Sequence, residues 1–509
     1  MKTGFSAERY LEVQTKEIKD RVARFGEKLY LEFGGKLCHD FHATRVLPGY
    51  ESDTKIKVLK ALGDEVEIIY CVSARDIQKG RMRHDFGLPY DKQVMKDIED
   101  LNKRGLRIKK INISLFSGEE AATRFKRKMT NFGYEVFMQP VIEGYPTDIN
   151  KVVSSEGYGR MEYIPTEKPI VVITGAGGNS GKMALCLSQM YHDTKDGMDS
   201  GYAKFETFPI WNLDIDHPVN IAYEAATADL GDTNLIDQFH LKAYGETAVN
   251  YNRDIENFEI MKSIMERIVS NDNHVRGYKS PTDMGVNMAG YAITDDNACR
   301  ESAKQEVIRR YFRYKKEFFL GIETGDTVER IDAIMKRLNL EPQERRTVEP
   351  ARKAAEDAKR NGKGNKGIYC GSAVQLPDGS IVTGKNSPLL HAESAVIINA
   401  IKALAGVEDS TDLIPPEVIK RVNMLKRDVL KGASESLNLN EALVALAISA
   451  KYNPDTEKCV RTLGMLNNCD MHLTHLPSEG DEAGLIKLRM NVTTDANIPL
   501  KDDEIMDSS

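Results

Sequence analysis

The sequence predicts an α/β protein. Its N-terminal part reads as a doubly wound, mostly parallel sheet, its middle as helical, and its C-terminal part as a smaller α/β module. Three observations carry this. Short apolar runs alternate with helical patterns from Leu29 to Ile142, as in successive βαβ units. A glycine-rich turn joins a buried strand to a helix in Lys168–Leu187, KPIVVITGAGGNSGKMALCL. A hairpin pattern over 368–384 follows a highly charged stretch and leads into a second apolar helix. A length of 509 residues argues for several domains. The pattern places them at 1–225 (nucleotide or phosphate binding), 226–350 (mostly helical) and 351–509, the last with a helical insertion at 407–466.

In order, residues 6–27 form an amphipathic entry helix and Leu29–Phe33 a strand. Gly34-Gly35-Lys36 then makes a turn, with Cys38, His39, Asp40 and His42 close behind. These histidines and the aspartate have metal-ligand chemistry but lack a fourth partner, so a βα turn is expected. Lys55–Leu62 is helical, and Val66–Val72 is a buried strand. Beyond it, Arg75, Lys79, Arg81, Arg83 and His84 form a basic loop, either an anion site at a strand's carboxyl end or a solvated surface. Helices at Asp91–Arg104 and Gly118–Phe132 and strands at Lys109–Ile113 and Glu135–Ile142 complete this series.

Ile170–Ile173 is the next buried strand, and its turn holds the strongest chemical signal. Thr174, Gly175, Gly177, Gly178, Asn179, Ser180, Gly181 and Lys182 are the expected phosphate-binding residues. Glycines let the backbone approach a phosphate, and the first-turn N–H groups and the helix dipole point at it. Lys182 is placed to reach a β- or γ-phosphate, as in a P-loop, although the spacing from Gly175 to Gly181 is one residue too long and Met183 replaces the magnesium-binding hydroxyl. Thr174, Gly175, Gly178 and Gly181 also match the T-G-x-x-G-x-x-G turn of extended short-chain dehydrogenases, which they resemble without the Y-x-x-x-K pair. A plain βα turn is the third alternative.

Phe205–Leu213 reads as a further strand, and Asp214 and Asp216 at its end are the candidate Mg²⁺ carboxylates, with a helix cap as the alternative. Asn220–Leu230 and Asn257–Val269 are helical. The loop Tyr278–Asn287, YKSPTDMGVN, supplies Lys279 and Asp283, which join Lys182 as catalytic candidates; a turn with a cap explains the same residues. Helices follow at Ala298–Phe319 and Thr327–Leu338, and the charged segment Gln343–Asn365 reads as a linker.

Net charge is −7 with both signs interspersed, which excludes a generic nucleic-acid or anionic-membrane surface. No apolar run approaches the roughly 20 residues of a bilayer span, and MKTGFSAERY has no signal-peptide core. Seven cysteines without a C-x-x-C pair fit a reducing cytoplasm. The apolar helix Leu437–Ala450 is either core or an interface between copies, so a homo-oligomer is expected.

After the hairpin, His391-Ala392-Glu393 opens the apolar helix. This arrangement resembles the cytidine-deaminase-like fold, which implies a zinc-binding role for His391 and a proton-shuttling role for Glu393. The P-C-x-x-C half of that motif is absent. After the strand at Asp470–Leu476 the chain reads Pro477-Ser478-Glu479-Gly480-Asp481, so no zinc is expected. Over its whole length the chain resembles a bacterial family catalogued as a domain of unknown function, through ITGAGGNSGKMA, NYNRD (Asn250–Asp254), YKSPTDMGVN and SPLLHAESA. The resemblance brings no catalytic residues. The expected function is binding of a nucleotide or small phosphorylated molecule, with Mg²⁺, for ATP-dependent transfer or ligation on a small polar metabolite. The alternatives are a non-catalytic nucleotide- or metabolite-binding oligomer and an NAD(P)-dependent oxidoreductase.

Overall fold

The computed structural model describes residues 3–38, 40–80, 82–83, 88–175, 177, 180–431 and 435–498. The chain forms two compact units, residues 2–303 and 304–509. Among the described residues no helix is long and apolar enough to cross a membrane.

The N-terminal unit is built on seven strands: β1 (Lys28–Phe33), β2 (Val66–Ser73), β3 (Lys110–Phe116), β4 (Glu135–Pro140), β5 (Ile170–Gly175), β6 (Ser200–Phe205) and β7 (Gly285–Val286). Their order in the sheet is β7-β6-β1-β5-β2-β3-β4, and every pair is parallel. β1, β5 and β6 are buried along their whole length, as expected of a sheet covered on both faces. The helices that cover it include α1 (Ala7–Phe25), α2 (Tyr90–Lys103), α3 (Glu120–Asn131), α4 (Lys182–Lys195) and α5 (Asn252–Ile268). α2 shows why such segments become helical: Tyr90, Val94, Ile98 and Leu101 recur at three- and four-residue spacing and bury one stripe. α4 is buried on most of its surface from Leu185 to Tyr191, which makes it a central helix.

The strand order creates a switch point. The chain leaves β2 toward β3 and β4 on one side, and leaves β5 toward β6 and β7 on the other. Adjacent strands whose connections diverge leave a crevice beyond their carboxyl ends, where open α/β sheets take ligands. The glycine-rich turn opens onto this crevice.

Two sequence expectations are corrected here. The strand expected at Phe205–Leu213 lies earlier, at Ser200–Phe205. Pro209 has no N–H for a central ladder, and the true strand is disguised by Gly201 and Lys204. Gly201 is required: a Cβ there would lie 2.2 Å from the Phe25 ring of α1. The expected linker at 343–365 is mostly helix.

In the C-terminal unit, α6 (Asp296–Phe319), which crosses the division, and α7 (Gly325–Arg337) precede that helix, α8 (Val348–Arg360). Its charges face outward, while Val348, Ala351 and Ala358 are buried. Four strands follow: β8 (Gly371–Gln375), β9 (Ile381–Lys385), β10 (Asp470–Leu473) and β11 (Asn491–Thr494). Their order is β9-β8-β10-β11, with β10 and β11 parallel and the other pairs antiparallel. Helix α9 (Ala392–Ala405) packs on the hairpin, and α10 (Leu439–Ala450) and α11 (Glu479–Lys487) join it in one apolar core.

Arg345 pins this unit together. It is 2% exposed and donates to Thr493 Oγ1, Asp470 Oδ1 and the Asn491 carbonyl. Removing it strands a half-buried carboxylate and a buried carbonyl, so Arg345→Ala is expected to destabilise the C-terminal unit by about 3 kcal/mol. Arg427→Ala, which breaks only the exposed pair with Asp428, should leave the unfolding midpoint in urea unchanged.

Candidate functional site

The glycine-rich turn follows β5 directly. Thr174 and Gly175 are its last strand residues, and Gly181 ends it at φ +75°, in the left-handed region, as the N-cap of α4. Both glycines are sterically required. A Cβ on Gly175 would lie 2.5 Å from the Cys71 carbonyl oxygen, and one on Gly181 would lie 2.7 Å from the Ser114 Cβ. The Ser114 hydroxyl tethers the turn, 2.7 Å from the Ser180 carbonyl oxygen. Lys182 is buried and turns back over the loop, donating to the Gly177 carbonyl at 3.2 Å and Ser180 Oγ at 3.4 Å. The N-cap of α4 is Gly181, which has no side chain to accept from the first-turn N–H groups. Gly178 and Asn179 lie outside the described residues.

Sequence reasoning missed a second group on the same sheet face. Register pairs Glu32 of β1 with Ile173 of β5 on one side and with Lys204 of β6 on the other. Paired residues of parallel strands point to the same side, and so do Tyr202 and Glu206, two residues either way from Lys204. Lys204 is buried, 2.8 Å from Glu206 Oε1. It also contacts Asp254 Oδ2 and the Tyr251 hydroxyl, both from the NYNRD segment. The Tyr202 hydroxyl donates to Glu32 Oε2 at 2.8 Å. This face continues to the turn, because Glu32 and Lys182 both act electrostatically on the thiols of Cys71 and Cys186.

One ammonium and three carboxylates, Glu32, Glu206 and Asp254, meet here out of water. Burial raises the Glu206 carboxyl to about 7; Lys204 pulls it down, and Asp254 and Glu32 push it up. Burial disfavours the Lys204 ammonium, but Asp254 and Glu206 hold its pKa well above the usual lysine value. A carboxyl that exchanges its proton near neutrality at the end of a central strand is suited to general acid–base work.

The remaining sequence candidates are elsewhere. Asp283 belongs to the turn itself: its Oδ2 accepts from the Lys279 backbone N–H and the Tyr244 hydroxyl. The Lys279 side chain is exposed, its ammonium over the Tyr244 ring. The YKSPTDMGVN segment lays β7 beside β6, held by Arg21 and Gln14 of α1. Asp214 and Asp216 occupy an exposed turn beyond β6, where Asp214 Oδ1 accepts from the Asp216 N–H. The strand-end carboxylate is Glu206 instead. Asp40 caps the short helix Phe41–Val46 and pairs with Lys55 at 2.8 Å; His42 packs against Phe208; His39, Arg81 and His84 lie outside the described residues. In the C-terminal unit, His391 is the N-cap of α9 and Glu393 lies in its first turn. The signal for the missed group was NYNRD, a dense polar run whose Tyr251 and Asp254 reach the sheet. Its partner Lys204 was hidden by the misplaced strand.

Comparison with known proteins accounts for these recurrent segments. Residues 3–339 match the model of the domain of unknown function DUF1846, N-terminal, and residues 343–502 match DUF1846, C-terminal. The chain belongs to the DUF1846 family. Its relatives include a UPF0371 protein of Clostridium tetani, 45% identical over 98% of both chains. A UPF0371 protein of Streptococcus thermophilus is 46% identical over 97% of both. One of Clostridium botulinum is 46% identical over 98% of both. The similarity of this DUF1846 chain to them thus runs over nearly its full length.

The Glu206 assignment makes a pH prediction. Its folded pKa, about 7, exceeds the 4.5 of an ordinary glutamate, so the folded state holds a proton the unfolded state has lost. The stability this proton confers is complete below about 4.5 and is lost as pH rises toward about 7. Urea midpoints of the wild type are therefore expected to fall between pH 5 and pH 7.5 by more than those of Glu206→Gln. Parallel pH profiles for the two proteins would show that Glu206 does not titrate in this window.

Proposed function

We propose that the N-terminal unit binds a nucleotide on the glycine-rich turn and transfers its terminal phosphoryl group to a small polar metabolite, or uses it to ligate one. The observation that carries this reading is that the phosphate-type turn at the switch point shares one sheet face with the Glu206–Lys204–Asp254 group two strands away. The P-loop-like role assigns Gly175, Gly177, Gly178, Asn179, Ser180 and Gly181 to the phosphates, with Thr174 at the strand end. Lys182, which spans loop carbonyl and hydroxyl at 3.2 and 3.4 Å, would exchange these contacts for phosphate oxygens. Magnesium arrives with the triphosphate. In the transfer, an acceptor oxygen forms the new bond to phosphorus, its proton passes to Glu206, and the nucleoside diphosphate leaves.

A second reading keeps the turn and changes the ligand. Thr174, Gly175, Gly178 and Gly181 fit a dinucleotide turn, and the parallel sheet with its switch point suits NAD(P) as well. The proton-exchanging Glu206 favours the first reading over a non-catalytic binding protein.

For the C-terminal unit we infer a deaminase-like module. The order β9-β8-β10-β11 and the His391-Ala392-Glu393 start of the helix after the hairpin support it. Assembly into a homo-oligomer is supported by Val444 and Ile448 of α10 and by Tyr452, each more than half exposed. Light scattering is expected to give a multiple of 57.1 kDa; a monomer at micromolar concentration would reject assembly. A cytoplasmic setting is supported by seven buried cysteines, all of them free.

The nucleotide reading is tested by melting the protein with ATP–Mg²⁺ and with NAD(P)H. ATP at 100 times its Kd is expected to stabilise by roughly 2.7 kcal/mol. Lys182→Ala, losing a charge-assisted contact, is expected to weaken ATP binding at least about tenfold while the apo melting point holds. Undiminished ATP binding in the folded variant would remove the P-loop-like role. A shift with NAD(P)H alone would install the dinucleotide reading.

A further inference from the structure

We propose that His391, Glu393 and Asp481 form a binding site for one divalent first-row metal ion in the C-terminal unit, with one nitrogen and two carboxylate ligands. Each offers a donor atom, and the three atoms lie within 4.8 Å of one another. The His391 Nδ1 is 2.7 Å from Asp481 Oδ2. Atoms bonded to one ion at about 2.1 Å lie about 3 Å apart, so small side-chain adjustments bring the set into ligating geometry.

The supporting contacts have the form of a second coordination shell. The first turns of α9 and α11 meet here, carrying Glu393 and Asp481. Asp481 Oδ1 accepts from the Leu439 backbone N–H at 2.7 Å, while the Ser478 hydroxyl donates to Oδ2. The His391 backbone N–H is fixed to the Leu437 carbonyl at 2.9 Å. On the far side, His475 Nε2 stands 3.1 Å from Glu393 Oε1 and orients it.

Glu393 supplies an independent observation. It is 0% exposed, and its Oε2 has no hydrogen-bond partner among the described residues. An oxygen of a buried carboxylate left without a partner is costly. One Glu393 oxygen lies within 4.8 Å of the His391 and Asp481 donor atoms, where a cation would satisfy the carboxylate.

The donor chemistry sets the kind of ion. Ser478 and Asp481 stand at the two positions where a P-C-x-x-C motif carries thiolates. Without sulfur, the set shifts from soft-ligand zinc chemistry toward Mn²⁺ or Fe²⁺, with water completing the coordination.

The test uses the full chain, stripped with chelator and titrated with Mn²⁺ alone, the free ion being counted by electron paramagnetic resonance. One ion per chain is expected. Glu393→Gln and Asp481→Asn are nearly isosteric, and each should weaken binding at least tenfold with the circular dichroism spectrum retained. His475→Gln should weaken it roughly tenfold through Glu393. Should a carboxamide variant not fold, His391→Gln, at a partly exposed position, provides the same readout. Absence of Mn²⁺ binding by the wild type at millimolar ion, or binding undiminished in the folded variants, would overturn the site.

Discussion

An ammonium inside a parallel sheet is the constraint on which the N-terminal unit depends. Lys204 lies on a strand buried along its whole length, and a lone charge there is unstable by several kcal/mol. It is tolerable only because carboxylates come to it. Glu206 comes from just beyond the same strand, and Asp254 comes from the first turn of α5. The lysine therefore fixes where the NYNRD segment must sit. The neighbours of that segment serve the same end. Arg253 meets the buried Asp232 through one guanidinium edge, Nη2 toward Oδ2 and Nε toward Oδ1, and Asn252 Oδ1 accepts the Thr233 N–H. With more negative charge than positive in the cluster, one carboxyl is driven to keep its proton toward neutrality, and Glu206 is that carboxyl.

Topology sets this cluster on the sheet face that carries the glycine-rich turn. β5 is inserted between β1 and β2, so the glycine-rich turn emerges one strand from Glu32 and two strands from Lys204. The insertion leaves little room above the neighbours. Gly175 passes the Cys71 carbonyl and Gly181 passes Ser114 at distances that exclude a side chain. Glycine is thus demanded by packing as well as by any ligand. This weakens composition alone as an argument for phosphate binding and places more weight on the position of Lys182.

β5 was legible because burial on both faces leaves an unbroken apolar run, and β1 to β4 because apolar residues recur through them between helical patterns. β6 was not, because its chemistry replaces apolar letters with Lys204 and its packing against Phe25 demands Gly201. The apolar run that drew attention, Phe208 to Trp211, contains a proline and lies beyond the strand. α8 was hidden by the opposite effect: its many charges are solvated, and the alanines that bury it carry little hydropathic weight. The glycine-rich turn was legible as strand, glycines and helix. The Lys204 cluster was not, because it exists only once the register of three strands is known. Asp481 was passed over because the position was searched for cysteine, and a carboxylate ligand carries no such signature.

Dense polar segments therefore need a criterion that sequence cannot apply. Asp283 and Asp214 looked chemical, but their oxygens accept backbone N–H groups of their own turns, and Asp283 takes a tyrosine hydroxyl besides. Asp481 is engaged by the fold in the same way, and what distinguishes its surroundings is the neighbouring Glu393. Glu206 and Glu393 present the converse. Each is buried at high cost. The first is left sharing a proton with its neighbours, and the second has an oxygen that no described donor reaches. Residual capacity after the fold has been satisfied is the physical mark of a group kept for a ligand or a proton. By that mark the proposed chemistry falls to the carboxylate beyond β6 and the carboxylate in the first turn of α9, while the carboxylates of the conspicuous loops hold their own turns.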